Sequence, residues 1–345
     1  MTVKIPTPVS GGLLLSYKCT ATCRHCMYAC GPKWNADWIS EADLEKIISL
    51  LAGKIISSPF GRDNISLNHG LHFTGGEPFL NFDLLCRAVE ISSGSGIPSL
   101  FVETNCFWCT DDTVTREKLL VLREKGLKGM MISVNPFYLE YVPFERTERA
   151  VRVSAGIFGS NSIVYQFEYY RRFKNLGIKG RVPFNEYLQL ENRSDFTRNT
   201  EFFIMGRAPY SMENDLDDQY PGYPSNIVAG MPCSPPFLRN WHNHFDNYCN
   251  FIPGYCGGIT LGDSRRLDEI LKSGIDPEDF PVLGFLFNDD VKGLLQFASG
   301  YGYRERENGY YSKCHLCVDL RRHLHALEEY RELKPDAFYK YLLTG

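Results

Sequence analysis

Between residues 12 and 158, short apolar runs alternate with amphipathic segments, and that alternation limits the fold more than any other feature of the chain. Residues 12–17, 71–74, 100–103 and 130–134 read as strands. Residues 41–51, 83–91, 114–124 and 145–158 read as helices. Ser40 caps the first of these, and Leu44, Ile47, Ile48 and Leu51 share one of its faces. Strands separated by whole helices pair in parallel with helical crossovers, because antiparallel neighbours need only a short turn. Beyond residue 160 the pattern weakens. Residues 165–176 fit a helix, 181–190 a fifth strand, and 201–205 a sixth strand closed by Gly206-Arg207-Ala208. A stretch at 211–225, acidic and then rich in Tyr, Pro and Gly, suits a linker between a large domain over 1–210 and a smaller one over 226–345. The smaller part ends in a helical stretch at 318–333.

The second constraint is cysteine. The chain of 345 residues has twelve, of which eight fall in three close groups: Cys19, Cys23, Cys26 and Cys30; Cys106 and Cys109; Cys314 and Cys317. The first ten residues carry one lysine and two prolines and no apolar core, so they do not read as a signal peptide. Clustered cysteines without one read as metal ligands rather than disulfides, and the expected location is cytoplasmic. No apolar run is long enough to cross a bilayer. The net charge of −4, with both signs mixed along the chain, marks out no nucleic-acid partner.

Cys19-x3-Cys23-x2-Cys26 follows the first strand directly. Three thiolates on one loop can face a single iron–sulfur cube, which normally takes four, so one iron keeps an open position. Spacing alone leaves a structural zinc site or unrelated buried thiols as alternatives. Gly75-Gly76-Glu77-Pro78 ends the second strand. Two glycines let backbone come close to a ligand, and a carboxylate beside them can accept from an ammonium group. Taken alone, this could be a turn after a strand.

Together, and in this order on consecutive strands, the two motifs resemble the signature of the radical S-adenosylmethionine (SAM) superfamily. His25 stands where that family usually has an aromatic residue. The resemblance covers about residues 11–208. It implies an α/β fold, a partial (β/α)6 TIM-like barrel with its ligand site at the C-terminal strand ends. It also implies a SAM-binding [4Fe–4S] cluster on Cys19, Cys23 and Cys26, with the Gly75–Pro78 motif at the amino group of SAM. Of the polar groups at strand ends, Glu103, Asn105, Ser133, Asn135 and Arg207 become expected neighbours of SAM. The implied chemistry is reductive cleavage of SAM to a 5′-deoxyadenosyl radical that removes a hydrogen atom from a substrate, with electrons from a low-potential donor such as flavodoxin or ferredoxin.

The C-terminal part carries a second cysteine set. Residues 244–262 read as strand, turn and strand, with Cys233 before this hairpin, Cys256 just past its return and Cys314-x2-Cys317 further on. The layout resembles auxiliary-cluster domains of the SPASM or twitch type. It implies one auxiliary [4Fe–4S] cluster on Cys233, Cys256, Cys314 and Cys317, since a full SPASM domain needs more cysteines for two. Zinc on the same four thiols is the alternative. Cys249 falls in the hairpin turn and is spare. Cys106 and Cys109 are expected to pack beside Phe107 and Trp108, and Cys30 and Cys86 to be structural. Trp241-His242-Asn243-His244 could place two histidines on one strand face, as in some metal sites, but the pair reads as half-exposed strand residues. The expected function is hydrogen-atom abstraction from a peptide or protein side chain or from a small metabolite, with no membrane or nucleic-acid partner. The rival is a zinc-stabilised binding protein without catalysis, which has no need of the Gly75–Pro78 motif.

Overall fold

The computed structural model describes residues 2–190, 203–213, 222–327 and 330–344. Its centre is strand β1 (Ser10–Leu14), buried at every position. β1 pairs in parallel with β2 (Gly70–Thr74) on one side and with β6 (Asn243–Phe245) on the other. Strands β3 (Phe101–Thr104), β4 (Gly129–Ser133) and β5 (Ser162–Tyr165) extend the parallel sheet beyond β2. A last strand, β7 (Phe251–Ile252), pairs antiparallel with β6, which gives the order β5-β4-β3-β2-β1-β6-β7. Strands buried on both faces need helices on the outside, and the chain supplies them. These are α1 (Glu41–Leu51), α2 (Phe82–Gly94), α3 (Asp112–Glu124) and α4 (Phe144–Phe158). Ser40, Asn81 and Asp111 cap the first three, each accepting from a backbone N–H of the first turn. The expected mixed α/β architecture with a mostly parallel, barrel-like sheet is therefore the one the chain adopts.

Two strand expectations are corrected. Residues 181–190 hold helix α6 (Phe184–Leu190), whose Phe184, Tyr187 and Leu188 are buried at helical and not strand spacing. The fifth strand is β5, immediately before helix α5 (Phe167–Asn175). Of the expected sixth strand, residues 203–205 form no strand, and 201–202 lie outside the described residues, as do 214–221 of the expected linker. The sixth parallel strand is β6, which joins the opposite edge beside β1. The hairpin β6–β7 turns at 246–250, where Cys249 has φ +64°. The expected C-terminal helix, α7 (Lys313–His325), starts and ends earlier than expected, the Ser312 side chain accepting from His315 N–H at its start, and a short helix at Asp336–Tyr341 follows it. Among the described residues no helix is long and apolar enough to cross a membrane.

Candidate functional site

The loop after β1 is held so that its thiols face inward. Cys19 and Cys23 are buried and Cys26 is nearly so. With Cys30, Gly75, Gly76 and Glu103 they line one cavity of about 130 Å³. Burial pushes the Cys19 thiol up to about 12, helped by the nearby Glu77 carboxylate, and pushes Cys23 well up too. Cys26 runs the other way, down to about 6, because its sulfur accepts from Cys30, including the Cys30 N–H at 3.3 Å. Cys19 and Cys23, raised by burial, become thiolates only beside a strong positive charge, such as a bound metal supplies.

Arg207 fastens the loop from beneath. Its guanidinium is buried and donates to the carbonyls of Cys23 at 3.0 Å, Ala29 at 2.7 Å and Cys30 at 2.9 Å. Its own N–H donates to Cys26 O at 3.1 Å. A buried guanidinium must place its donors, and here backbone carbonyls take them. Arg207 thus supports the cysteine loop and is not among the residues that line the cavity. Gly206 precedes it with φ +58°, and a Cβ there would lie 2.6 Å from Met27 Cα and 2.7 Å from Cys26 O.

Gly75 and Gly76 let the end of β2 lie against the same loop. Gly75 has φ +122°, and a Cβ on Gly76 would meet Lys18 O at 1.9 Å. Gly76 N–H donates to Ser16 O at 2.8 Å and Glu77 N–H to Lys18 O at 3.0 Å. Pro78 is buried as the first residue of the short turn Pro78–Asn81. The Glu77 carboxylate turns into the protein and is absent from the cavity wall. It accepts from Phe79 N–H at 3.2 Å, Thr104 Oγ1 at 2.9 Å and Asn105 N–H at 2.9 Å. Burial lifts it to about 7 despite these donors. Its role in the structure is to tie the glycine turn of β2 to the end of β3.

The other expected residues divide the same way. Glu103 lines the cysteine cavity, accepts from Thr74 Oγ1 at 2.8 Å and is raised by burial. Asn105 reaches Thr20 Oγ1 at 3.1 Å, with Cys19 Sγ at 3.8 Å. Asn135 caps the single turn Pro136–Leu139, accepting from Phe137 and Tyr138 N–H, and its amide lies 3.3 Å from His25 Nε2. His25 is half-buried, neutral at ordinary pH because desolvation lowers it to about 3, and stacks on Phe137 at 4.6 Å. Ser133 lines a second cavity of about 140 Å³. His25, Met27, Tyr28, Thr74, Glu103 and Tyr138 belong to the walls of both, so the two cavities adjoin.

The four C-terminal cysteines come together from three segments. Cys233, Cys256, Cys314 and Cys317 line one pocket with Met205, Gly206 and Arg321. Cys314 and Cys317 lie on the first turn of α7, where a separation of three puts both on one face. The Asp289 carboxylate accepts from the N–H of Cys233 and Ser234 and fixes that turn. Burial raises Cys233 to about 12 and also raises Cys256 and Cys314, with the neighbouring thiols adding to it. Buried Arg321, which donates to Gly257 O at 2.9 Å, and Lys313 set positive charge against these thiols.

Cys249 stands apart: the charged groups around its thiol are Asp43, Arg265, Asp263 and Asp246. Cys106 and Cys109 are fully buried, and the neighbouring Trp108 stacks on Phe79 at 3.9 Å. Cys86 is buried on α2.

Among the described residues, one group alone brings three ligand atoms within 4.8 Å of one another: His72, His242 and His244. Neither cysteine set is that tight. A tetrahedral zinc with bonds of about 2.3 Å needs sulfurs about 3.8 Å apart, whereas a cube of four irons holds its thiolates further apart. The sequence offered half of this group, the pair His242 and His244 on one strand face, and set it aside. His242 and His244 read there as half-exposed, and His72 carried no signal, because its partners arrive only when β6 joins β1.

No protein-family model matches the chain, and no curated protein matches it. Among solved structures it is similar to BtrN in complex with AdoMet and 2-DOIA, at 15% identity and a TM-score of 0.40 over 78% of this chain and 89% of that one. It is also similar to native anSMEcpe with bound AdoMet, at 12% identity and a TM-score of 0.43 over 76% of this chain and 80% of that one. A third is Streptococcus suis SuiB bound to S-adenosylmethionine, at 12% identity and a TM-score of 0.40 over 72% and 60% of the two chains. Likeness at this level carries no chemistry, which rests on the residues above.

Proposed function

We propose that the chain is a radical SAM enzyme. In this reading Cys19, Cys23 and Cys26 hold a [4Fe–4S] cluster, and Cys233, Cys256, Cys314 and Cys317 hold an auxiliary one. The observation that carries the reading is the shared wall. Three inward thiols, wider apart than a single ion allows, border one cavity with Gly75 and Gly76, whose missing side chains leave backbone open to a ligand. When bound, the cluster and SAM supply a 5′-deoxyadenosyl radical, which takes a hydrogen atom from substrate.

The chain's own residues do the rest. Gly75, Gly76 and Glu103 border the space for SAM, with Glu103 the carboxylate available to an ammonium group. Glu77, Asn105, Asn135 and Arg207 are positioning residues that fix the two loops, each through bonds to backbone or to a loop side chain. Substrate, a peptide or protein side chain or a small metabolite, would occupy the adjoining cavity beside Ser133, Tyr138 and Tyr165. Its largely aromatic walls would keep water from a reactive radical. A low-potential donor such as flavodoxin or ferredoxin would supply the electron. The thiol spacing works against the zinc-stabilised alternative.

The test is anaerobic reconstitution with iron and sulfide, reduction with dithionite and addition of SAM. The expected result is about eight irons per chain, at four per cube, and 5′-deoxyadenosine detected by mass spectrometry. Protein that binds zinc in preference to iron, or that releases no 5′-deoxyadenosine when fully loaded with iron, would overturn the reading.

A further inference from the structure

We propose that His72, His242 and His244 form a mononuclear site for a borderline divalent metal ion, zinc being the type ion, in the floor of the second cavity. Three neighbouring strands build it. Gly12 on β1 is in register with His72 on β2 and with His244 on β6. Because Gly12 has no side chain, both rings lean over it: a Cβ there would lie 2.3 Å from His72 Nε2 and 2.9 Å from His244 Nε2. His242, at φ +54° just before β6, brings its ring centroid to 5.1 Å from each of the other two. One ligand atom from each residue falls within 4.8 Å of the others, and all three side chains are buried.

The outer hydrogen bonds orient the rings as metal ligands. His242 Nδ1 lies 2.9 Å from Leu67 O, and His244 Nδ1 lies 2.8 Å from Gly254 O, with the Tyr28 hydroxyl at 3.0 Å. A carbonyl accepts and cannot donate, so each Nδ1 carries the proton and each Nε2 offers a lone pair. Metal-bound histidines are held in this way. His72 Nε2 has no hydrogen-bond partner although the residue is only 2% exposed. A buried nitrogen left so is costly unless something absent from the protein atoms occupies the place. A Glu103 carboxylate oxygen lies 3.4 Å from it and supplies negative charge beside a divalent ion.

Three imidazoles suit zinc and the other borderline first-row ions, and a three-histidine set leaves a fourth position open. His242, His244 and Glu103 line the second cavity. The open position would therefore take an oxygen donor, a carboxylate or hydroxyl, of whatever occupies that cavity. The inference stands on the histidines and does not require that the chain cleave SAM.

The test uses the full-length, iron-loaded protein, incubated anaerobically with zinc sulfate and desalted. The expected result is about one zinc per chain over and above the iron. The zinc absorption edge should show nitrogen or oxygen neighbours at about 2.0–2.1 Å and the outer-shell pattern of imidazole. His242→Gln and His72→Asn should each bring retained zinc close to none, with iron and sulfide unchanged. His242→Gln, just outside β6, keeps the test valid if the β2 variant folds poorly. Zinc absent after desalting, zinc surrounded by sulfur at about 2.3 Å, or zinc retained equally by wild type and His242→Gln would overturn the assignment.

Discussion

The two cysteine sites reach a similar end by opposite routes. Cys19, Cys23 and Cys26 come from one loop, so proximity is built in before the chain folds. Cys233, Cys256, Cys314 and Cys317 come from a turn, a post-hairpin loop and a helix, and meet only in the finished fold. A site on one loop closes little chain when it binds metal. A site on three segments closes long loops, and its metal is folded-state stability. The loop site compensates with outside supports: Arg207 beneath it and the glycine turn of β2 beside it.

The sharpest test of that contrast is to empty each site in turn. Replacing Cys19, Cys23 and Cys26 by alanine should abolish 5′-deoxyadenosine formation and lower iron from about eight to about four per chain. Thermal stability should change little. Replacing Cys314 and Cys317 should remove a similar amount of iron and also lower the melting temperature by several degrees, because it unties three segments. Equal melting temperatures for the two variants, measured anaerobically by circular dichroism, would break the comparison.

Arg207→Lys comes next. An ammonium cannot reach the three carbonyls that the guanidinium spans, so buried acceptors lose their donors. The expected cost is about 1–3 kcal/mol in denaturant unfolding. Iron loss should concentrate at the N-terminal site, which cluster spectra of the two cysteine variants can identify.

Gly76→Ala should have a smaller global effect. Its Cβ would fall 1.9 Å from Lys18 O, so the β2 turn must move away from the cysteine loop. We expect a weaker apparent affinity for SAM, read from the concentration dependence of its cleavage, with both clusters retained. An unchanged affinity would remove Gly76 from the site.

The smallest effect is expected of Cys249→Ser. The thiol neighbours Asp43 and Arg265 and none of the four clustered cysteines, and a hydroxyl keeps a donor toward Asp43. Iron content and cluster spectra should be unchanged, with a stability cost under about 1 kcal/mol. Loss of the second cluster in this variant would mean that the C-terminal ligands are not the four named.

Much of this was legible in the chain. The first four strands and helices lie close to where apolar periodicity put them, because each is set by local burial and a local cap. The fifth and sixth strands were not legible. Phe184, Tyr187 and Leu188 mark a helix face only once one knows which side is buried, and β6 lies far along the chain from the strand it pairs with. The side-chain roles of Glu77 and Arg207 were equally out of reach. A motif places a residue in a site, but burial decides which way its charge must turn to find partners.

The sequence by itself determined the cysteine loop, the glycine turn after β2 and the alternation that makes a parallel sheet. Each depends on spacing along a few residues. The tertiary structure decided what long-range pairing brings together: a sixth strand beside β1, Arg207 under the first loop, and three histidines over Gly12. Spacing cannot encode those, because they depend on which strand lies beside which. That is set by the burial of β1 between β2 and β6, a property of the whole core and of no segment alone.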